Sequence, residues 1–400
     1  MTSPTLAATG AWTKAGDLPA AASWYGQHDG PVLLKNNKVL LVGGSDAASA
    51  ATNKTALFDQ TGTTPKWTAG PRMQSPRRLH TVTLLADGKV LVTGGTSGSS
   101  PTSAGLTSVE LYTPSDTGGS WKTVTSLREG RYGHSAVLLA DNKRVLVTGG
   151  TTVRSGDSVR ALASAEIYDV AAGTWTGAAP MTDARSGHSA VVLKGGQVLV
   201  AGGTAPVSPT GGTSLAFCEL YTPNDTTGTW TPTGSLLQPR SGHQTVFASD
   251  TTALVIGGAT PGLAGDGTFD PYRGLTGERF ELGAGKWAPL PAVGPPLTPG
   301  GRAQHRVVAL GSGQFLVIGG TADDRDGAGY QSALIYDESA KSWSAATGPT
   351  DGRWAFGALA LAAGKVLVTG GTLAAGIAAA DPDSAELAAT TEVFTLGGTP

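Results

Sequence analysis

Short apolar runs recur along the chain, each four to seven residues long and bounded by Gly, Asp, Asn or Pro. The stretch RSGHSAVVLKGGQVLVAGG (185–203) shows the plan. HSAVVL is predicted as one strand, GG as a tight turn, and QVLVAGG as a second strand ending in a glycine pair. A variable polar stretch follows, then a third strand ending in an aromatic (CELY), a hairpin, and a fourth strand opened by tryptophan (TWTPTG). Val, Leu, Ile and aromatics dominate these runs, as strands favour. No window sustains a helical period over three turns, so the chain is predicted to be almost entirely β.

The pattern repeats. Glycine pairs fall at 43–44, 94–95, 149–150, 202–203, 257–258, 319–320 and 370–371, and tryptophans at Trp12, Trp67, Trp121, Trp175, Trp230, Trp287 and Trp343, in steps of 54 to 57 residues. Seven such steps use nearly all 400 residues and leave no room for another domain. Four antiparallel strands per unit, seven times over, predict a seven-bladed β-propeller spanning 1–400. The blades fall near 20–72, 73–126, 127–180, 181–235, 236–291, 292–348, and 349–400 plus 10–16. The last assignment follows from phase. The chain opens on a lone Trp-bearing strand and closes on a third strand, TEVFTL, so residues 10–16 are expected to complete the last blade and close the ring without free edges.

Arg-x-x-His-Ser before the first strand, Gly-Gly after the second, Glu-x-Tyr in the third and Trp in the fourth resemble kelch repeats, over essentially the whole chain. The resemblance implies a stand-alone, bacterial-type kelch propeller with a galactose-oxidase-like fold. That family includes adaptors, sugar-ring isomerases, copper radical oxidases and nitrile-forming specifier proteins, so fold alone does not choose an activity. The copper enzymes' Tyr-His dipeptide and the specifier proteins' Glu-x-x-x-Asp-x-x-x-His motif are both missing here. Cys218 stands inside a third strand, where a buried thiol is expected.

Composition narrows the classes further. The 28 Lys+Arg against 30 Asp+Glu give a net charge of −2, which argues against a nucleic-acid partner. There is no apolar run long enough to span a membrane and no secretory leader pattern in MTSPTLAATG, so a cytoplasmic, monomeric protein is expected, a secreted mature form being the other option. One cysteine allows neither an internal disulfide nor a cysteine metal cage.

Function is expected on the face carrying the loops between strands two and three. From the glycine pair to the third-strand aromatic, these steps vary from 14 to 23 residues. All six histidines share one repeat position (His28, His80, His134, His188, His243, His305), with Phe356 seventh; they are read as structural groups between blades rather than a metal ring. Three residues earlier stand Arg77, Arg131, Arg185, Arg240, Arg302 and Arg353, with Tyr25 in blade one. Glu110, Glu166, Glu219, Glu278 and Glu392 recur in the third strands, replaced by Ala56 in blade one and Leu334 in blade six. Joint loss of both partners in blade one predicts an arginine–glutamate pair within each blade, leaving Arg302 without an acid and available as an anion contact.

Departures from the repeat supply the remaining ligand-binding candidates. Trp24, Tyr25 and Trp354 are expected as aromatic walls, and Arg78 and Tyr132 as side chains directed at the central opening. Gln304, Tyr272 and Arg273, and Asp323 and Arg325 join them from blades five and six. The acidic run Asp323, Asp324, Asp326 only loosely resembles a calcium loop, so no cofactor is expected. Two functions follow. One is a propeller binding a small ligand or a protein partner near the axis; the alternative is a cofactor-independent isomerase, lyase or cyclase in the same pocket.

Overall fold

The computed structural model describes all residues except 1–8, 27, 62–63, 101–102, 155–157, 207–211, 262–268, 272–276, 294–300, 323–326 and 398–400. Seven four-stranded antiparallel sheets form a ring of blades. Among the described residues the only helical element is a single 3-10 turn at Gly376–Ala378. Ala11–Asp17 pairs antiparallel with Thr390–Thr395, placing Trp12 opposite Phe394, so the first strand of the chain is the outer strand of blade seven. The ring is closed as the repeat phase predicts.

Alternation explains how the blades pack. Second strands are buried on both faces, as in Val39, Leu40, Leu41 and Val42, because each sheet is sandwiched between two neighbours. The hydrophobic core is therefore divided into clusters, each drawing from adjacent blades; one joins Leu146, Ile167 and Met181 to Val198 and Tyr221. Within every blade the third-strand aromatic packs against the fourth-strand tryptophan at a tilted 4.9–5.3 Å. The indole N–H then reaches the preceding blade: Trp121 donates to the Pro71 carbonyl at 2.9 Å and Trp175 to that of Thr125 at 2.8 Å. One residue thus binds its own sheet through its ring face and its neighbour through its nitrogen.

The variable loops are more ordered than their sequence suggests. Those of blades three, four, five and seven fold back as two-stranded ribbons, such as Thr151–Arg154 with Ser158–Ala161 and Thr204–Pro206 with Gly212–Ser214. The ribbons of blades three, four and five touch in succession. Blade six is bridged to blade seven at Ala328 and Ala374, and the Ala385 N–H donates to Ala47 of blade one at 3.0 Å. A raised wall therefore surrounds much of the loop-rich face.

Candidate functional site

The arginine–glutamate pairs exist, each within one blade. Arg77–Glu110, Arg131–Glu166, Arg185–Glu219, Arg240–Glu278 and Arg353–Glu392 lie 2.7 to 3.4 Å apart, and all ten side chains are buried. Each arginine also donates to the carbonyl of the first glycine of its pair, as Arg131 does to Gly149 at 2.7 Å. Each glutamate accepts a backbone N–H from the loop entering its blade: Gln74, Arg128, Thr182, Leu237 and Thr350, always three residues before the arginine. The pair is a clamp that ties the entry loop to the third strand.

Blade six keeps the arginine and lacks the acid. Arg302 donates to the Gly319 carbonyl (2.9 Å) and Ser332 hydroxyl (2.7 Å), and its guanidinium lies 5.3 Å from the Tyr330 ring centre. Burial lowers its pKa to about 10, so it stays protonated at neutral pH. It is a buried structural cation, 1% exposed, and not at the mouth of a pocket as expected from sequence.

The histidines sit between blades. His134 Nε2 lies 3.1 Å from the Thr81 and Thr93 hydroxyls, His188 2.9 Å from Thr148, and His243 2.9 Å from Ser189, each on the preceding blade. Burial drives their pKa values down, to about 3 for His80 and His243, so these imidazoles are neutral. Blade one departs from the expected numbering. The bridge Ser23–Ser45 matches Arg78–Thr96 and Tyr132–Thr151, so Ala22, not Tyr25, takes the arginine position. The Trp24 ring fills the histidine slot, against Gly370, as Phe356 does against Gly319. His28 stands outside that slot, its carbonyl accepting the Val82 N–H at 2.8 Å.

A funnel of about 180 Å³ opens on the axis. Tyr25, Tyr132 and Gln304 line it together with Ser186, Ser241 and the backbone of Leu79, Gly133, Gly187 and Gly242. The residues preceding the histidine slots form a collar: Gly133 N–H donates to Leu79 (2.9 Å), Gly187 to Gly133 (2.8 Å), Ala355 to Gln304 (2.9 Å) and Trp24 to Ala355 (2.6 Å). Six collar residues have φ between 48° and 61°, including non-glycine Leu79, Gln304 and Ala355. Three side chains are thus held in a strained backbone region. Arg78 stands beside Tyr25 and Tyr132, its guanidinium donating to the Gly98 (2.9 Å) and Ser99 (2.6 Å) carbonyls. Burial raises the Tyr132 phenol pKa, with Arg78 opposing it.

Of the other sequence candidates, Trp354 is fully buried, and Trp24 is buried with its indole donating to Val42 at 3.0 Å. Neither lines the funnel. Tyr272, Arg273, Asp323, Asp324, Arg325 and Asp326 lie outside the described residues. A further constellation escaped the sequence reading: Arg306, directly after His305, reaches across blade seven. It donates to the Phe356 (2.7 Å) and Trp24 (2.6 Å) carbonyls and lies 3.8 Å from Asp29. Burial pushes the Asp29 carboxyl up to about 6 against the pull of Arg306. The signal was present one place after the histidine, where blades two to five carry only Thr81, Ser135, Ser189 and Gln244.

No family model matches the chain. It is 28% identical over 237 residues to Kelch-like protein 34 of Homo sapiens, which covers 56% of this chain; the chain spans about a third (33%) of that curated relative. Among solved structures it is similar to a fungal alcohol oxidase of the AA5 family in complex with copper, at TM-score 0.71 and 18% identity, covering 99% of this chain and 79% of that one. The structure of YjhT is similar at TM-score 0.57 and 15% identity, covering 76% of this chain and 93% of that one. The copper of the oxidase has no fitting residues here among those described. Cys218 is buried with its thiol raised to about 11, and among the described residues no three His, Cys, Asp or Glu side chains are grouped to hold a metal. Repeat positions, blade count and these likenesses agree: this chain is a seven-bladed β-propeller whose repeats are similar to those of a kelch-like protein.

Proposed function

We propose that the protein is a binding propeller that engages its ligand at the axial funnel of the loop-rich face, through Tyr25, Arg78, Tyr132 and Gln304. The observation that carries this reading is the convergence of three of these side chains on one opening, with the arginine at their side. The funnel is smaller than the roughly 300–1,000 Å³ of drug-sized pockets, so it suits a compact polar group. That group is a small molecule or one side chain protruding from a partner protein. Phenols, an amide, hydroxyls and a guanidinium, with no carboxylate among the described lining residues, favour an anionic or strongly polar head.

An isomerase or lyase would need an acid–base couple in this opening. The described titratable groups lining it are two phenols, together with three histidines that burial keeps neutral, and no carboxylate, so the binding reading is preferred. The test is a thermal-shift panel of small carboxylates, phosphates and sugars on the wild type, Arg78→Ala and Tyr132→Phe. At least one compound should stabilise the wild type and lose its effect in both variants. Stabilising compounds that act equally on all three would contradict the assignment.

A further inference from the structure

Blade one holds a cavity of about 560 Å³ on the loop-rich face, away from the axial funnel. Its lining includes Ala22, Ala56, Gly43 and Lys54. These four are the blade-one counterparts of Arg77, Glu110, Gly94 and Ser108, the arginine clamp of blade two. In all six other blades a guanidinium donates to the carbonyl of the first glycine at 2.6–2.9 Å. Only blade one has that carbonyl without the arginine. The cavity includes the place that the clamp's side chains fill in the other blades.

The vacancy is coordinated. The position whose N–H the glutamate would accept is Pro19 in blade one, and a proline has no N–H to offer. The same place in blade six, the other blade without the acid, is Pro299. Arginine, glutamate and amide donor are thus all missing from blade one, while the acceptor carbonyls and the surrounding framework stay. Trp24 and Leu41 wall the cavity on its apolar side, and Asp46 contributes a carboxylate whose Oδ1 accepts the Ala48 and Ala50 N–H groups.

We propose that this cavity is a binding socket for an alkylguanidinium group, carried by a small molecule or by an arginine side chain of a peptide. Blade six provides the precedent within the same molecule. Arg302 remains seated and protonated on carbonyls, a serine hydroxyl and an aromatic ring, with no glutamate. The blade-one socket offers the Gly43 and Lys54 carbonyls in the same way, with Thr52 in the place of Tyr330 and the Trp24 ring supplying an apolar wall from the histidine slot. Lys54 and Arg72, both exposed at its edge, face water, where their repulsion is screened. A volume of about 560 Å³ leaves room for the rest of a ligand beyond the guanidinium.

The test is calorimetric titration of the full chain with butylguanidinium and, in a second arm, with acetyl-Gly-Arg-Gly-amide; butylammonium and butylurea serve as controls. Preference for the free compound or for the peptide tells a metabolite site from a partner site. Guanidinium binding should exceed both controls. Ala56→Glu, which restores the acid, should tighten it about tenfold. Ala22→Arg, which restores the repeat's own side chain, should abolish it. Should Ala22→Arg fail to fold, Ala56→Glu carries the test alone. No preference for guanidinium, weaker binding in Ala56→Glu, or binding that appears only after Arg72→Ala would each overturn the proposal.

Discussion

Blade three and blade one have the same four strands and opposite interiors. In blade three the entry loop is fastened by Arg131 and Glu166, and the junction with blade two is filled by the His134 ring. In blade one the corresponding positions are Ala22, Ala56 and Trp24: no charges, an indole in place of the imidazole, and a cavity where the clamp would stand. The residues that look most like catalytic groups in the sequence, repeated Arg, His and Glu, are the framework. The proposed guanidinium socket lies where that framework is deleted. A buried ion pair is weak evidence for stability because desolvation opposes it, but breaking one leaves an uncompensated charge.

Acid should expose this contrast most strongly. His80, His134, His188, His243 and His305 are buried and neutral, their pKa values held below the ordinary 6.5 by burial. The unfolded chain takes up protons below pH 6.5 and the folded one does not. Their contribution is therefore complete above 6.5 and is lost as pH falls towards 3. Each costs up to about 1.4 kcal/mol per pH unit in that window. His28, lowered by burial to about 4, adds to the loss, and Asp29, with its raised pKa of about 6, opposes it between roughly pH 4 and 6, one group against six. Hydrogen exchange at pH 5 should show the five histidine junctions opening before those filled by Trp24 and Phe356. Uniform opening would break the comparison.

Breaking one clamp comes next. Glu166→Ala should destabilise the chain by about 3–5 kcal/mol in chemical unfolding, because the buried Arg131 loses the carboxylate that it hydrogen-bonds directly and keeps only the neighbouring charge of Glu129. A loss below about 1 kcal/mol would mean that the carbonyls alone suffice, as they do around Arg302. Tyr330→Leu sharpens that point: it removes the ring beneath Arg302 and should cost about 1–2 kcal/mol by the same measurement. Smallest of all, Arg78→Ala should shift stability by no more than about 0.5 kcal/mol, since this half-buried side chain belongs to the funnel rim rather than to a clamp. A large loss there would move Arg78 into the framework and weaken the axial reading.

The architecture was legible in the sequence because each unit carries four correlated marks, and Trp12 with TEVFTL exposed the closure through phase alone. The clamp was legible too, from the joint absence of partners in blade one. The site was only partly so. Tyr25, Tyr132, Gln304 and Arg78 do gather at the axis, but Trp24, Trp354 and Arg302 are buried between and within blades. Spacing misnumbered blade one by three residues because Trp24 takes a slot that histidine occupies elsewhere, and only the Ser23–Ser45 bridge fixes the register. Arg306 was missed because its partners Trp24 and Asp29 are brought near by ring closure, which no local pattern records. The loop ribbons were missed because runs such as TTVR and SVRA carry too little apolar alternation to read as strands.

The central claim is that the clamp is framework and that its absence from blade one leaves the surrounding framework intact. Thermal unfolding of the Ala22→Arg/Ala56→Glu double variant tests it most directly. If blade one retains the seat of the clamp, the double variant should melt no lower than the wild type, while Ala56→Glu alone melts lower by burying an unpaired carboxylate. A double variant that melts below Ala56→Glu would show that the seat is not there, and the account would fail.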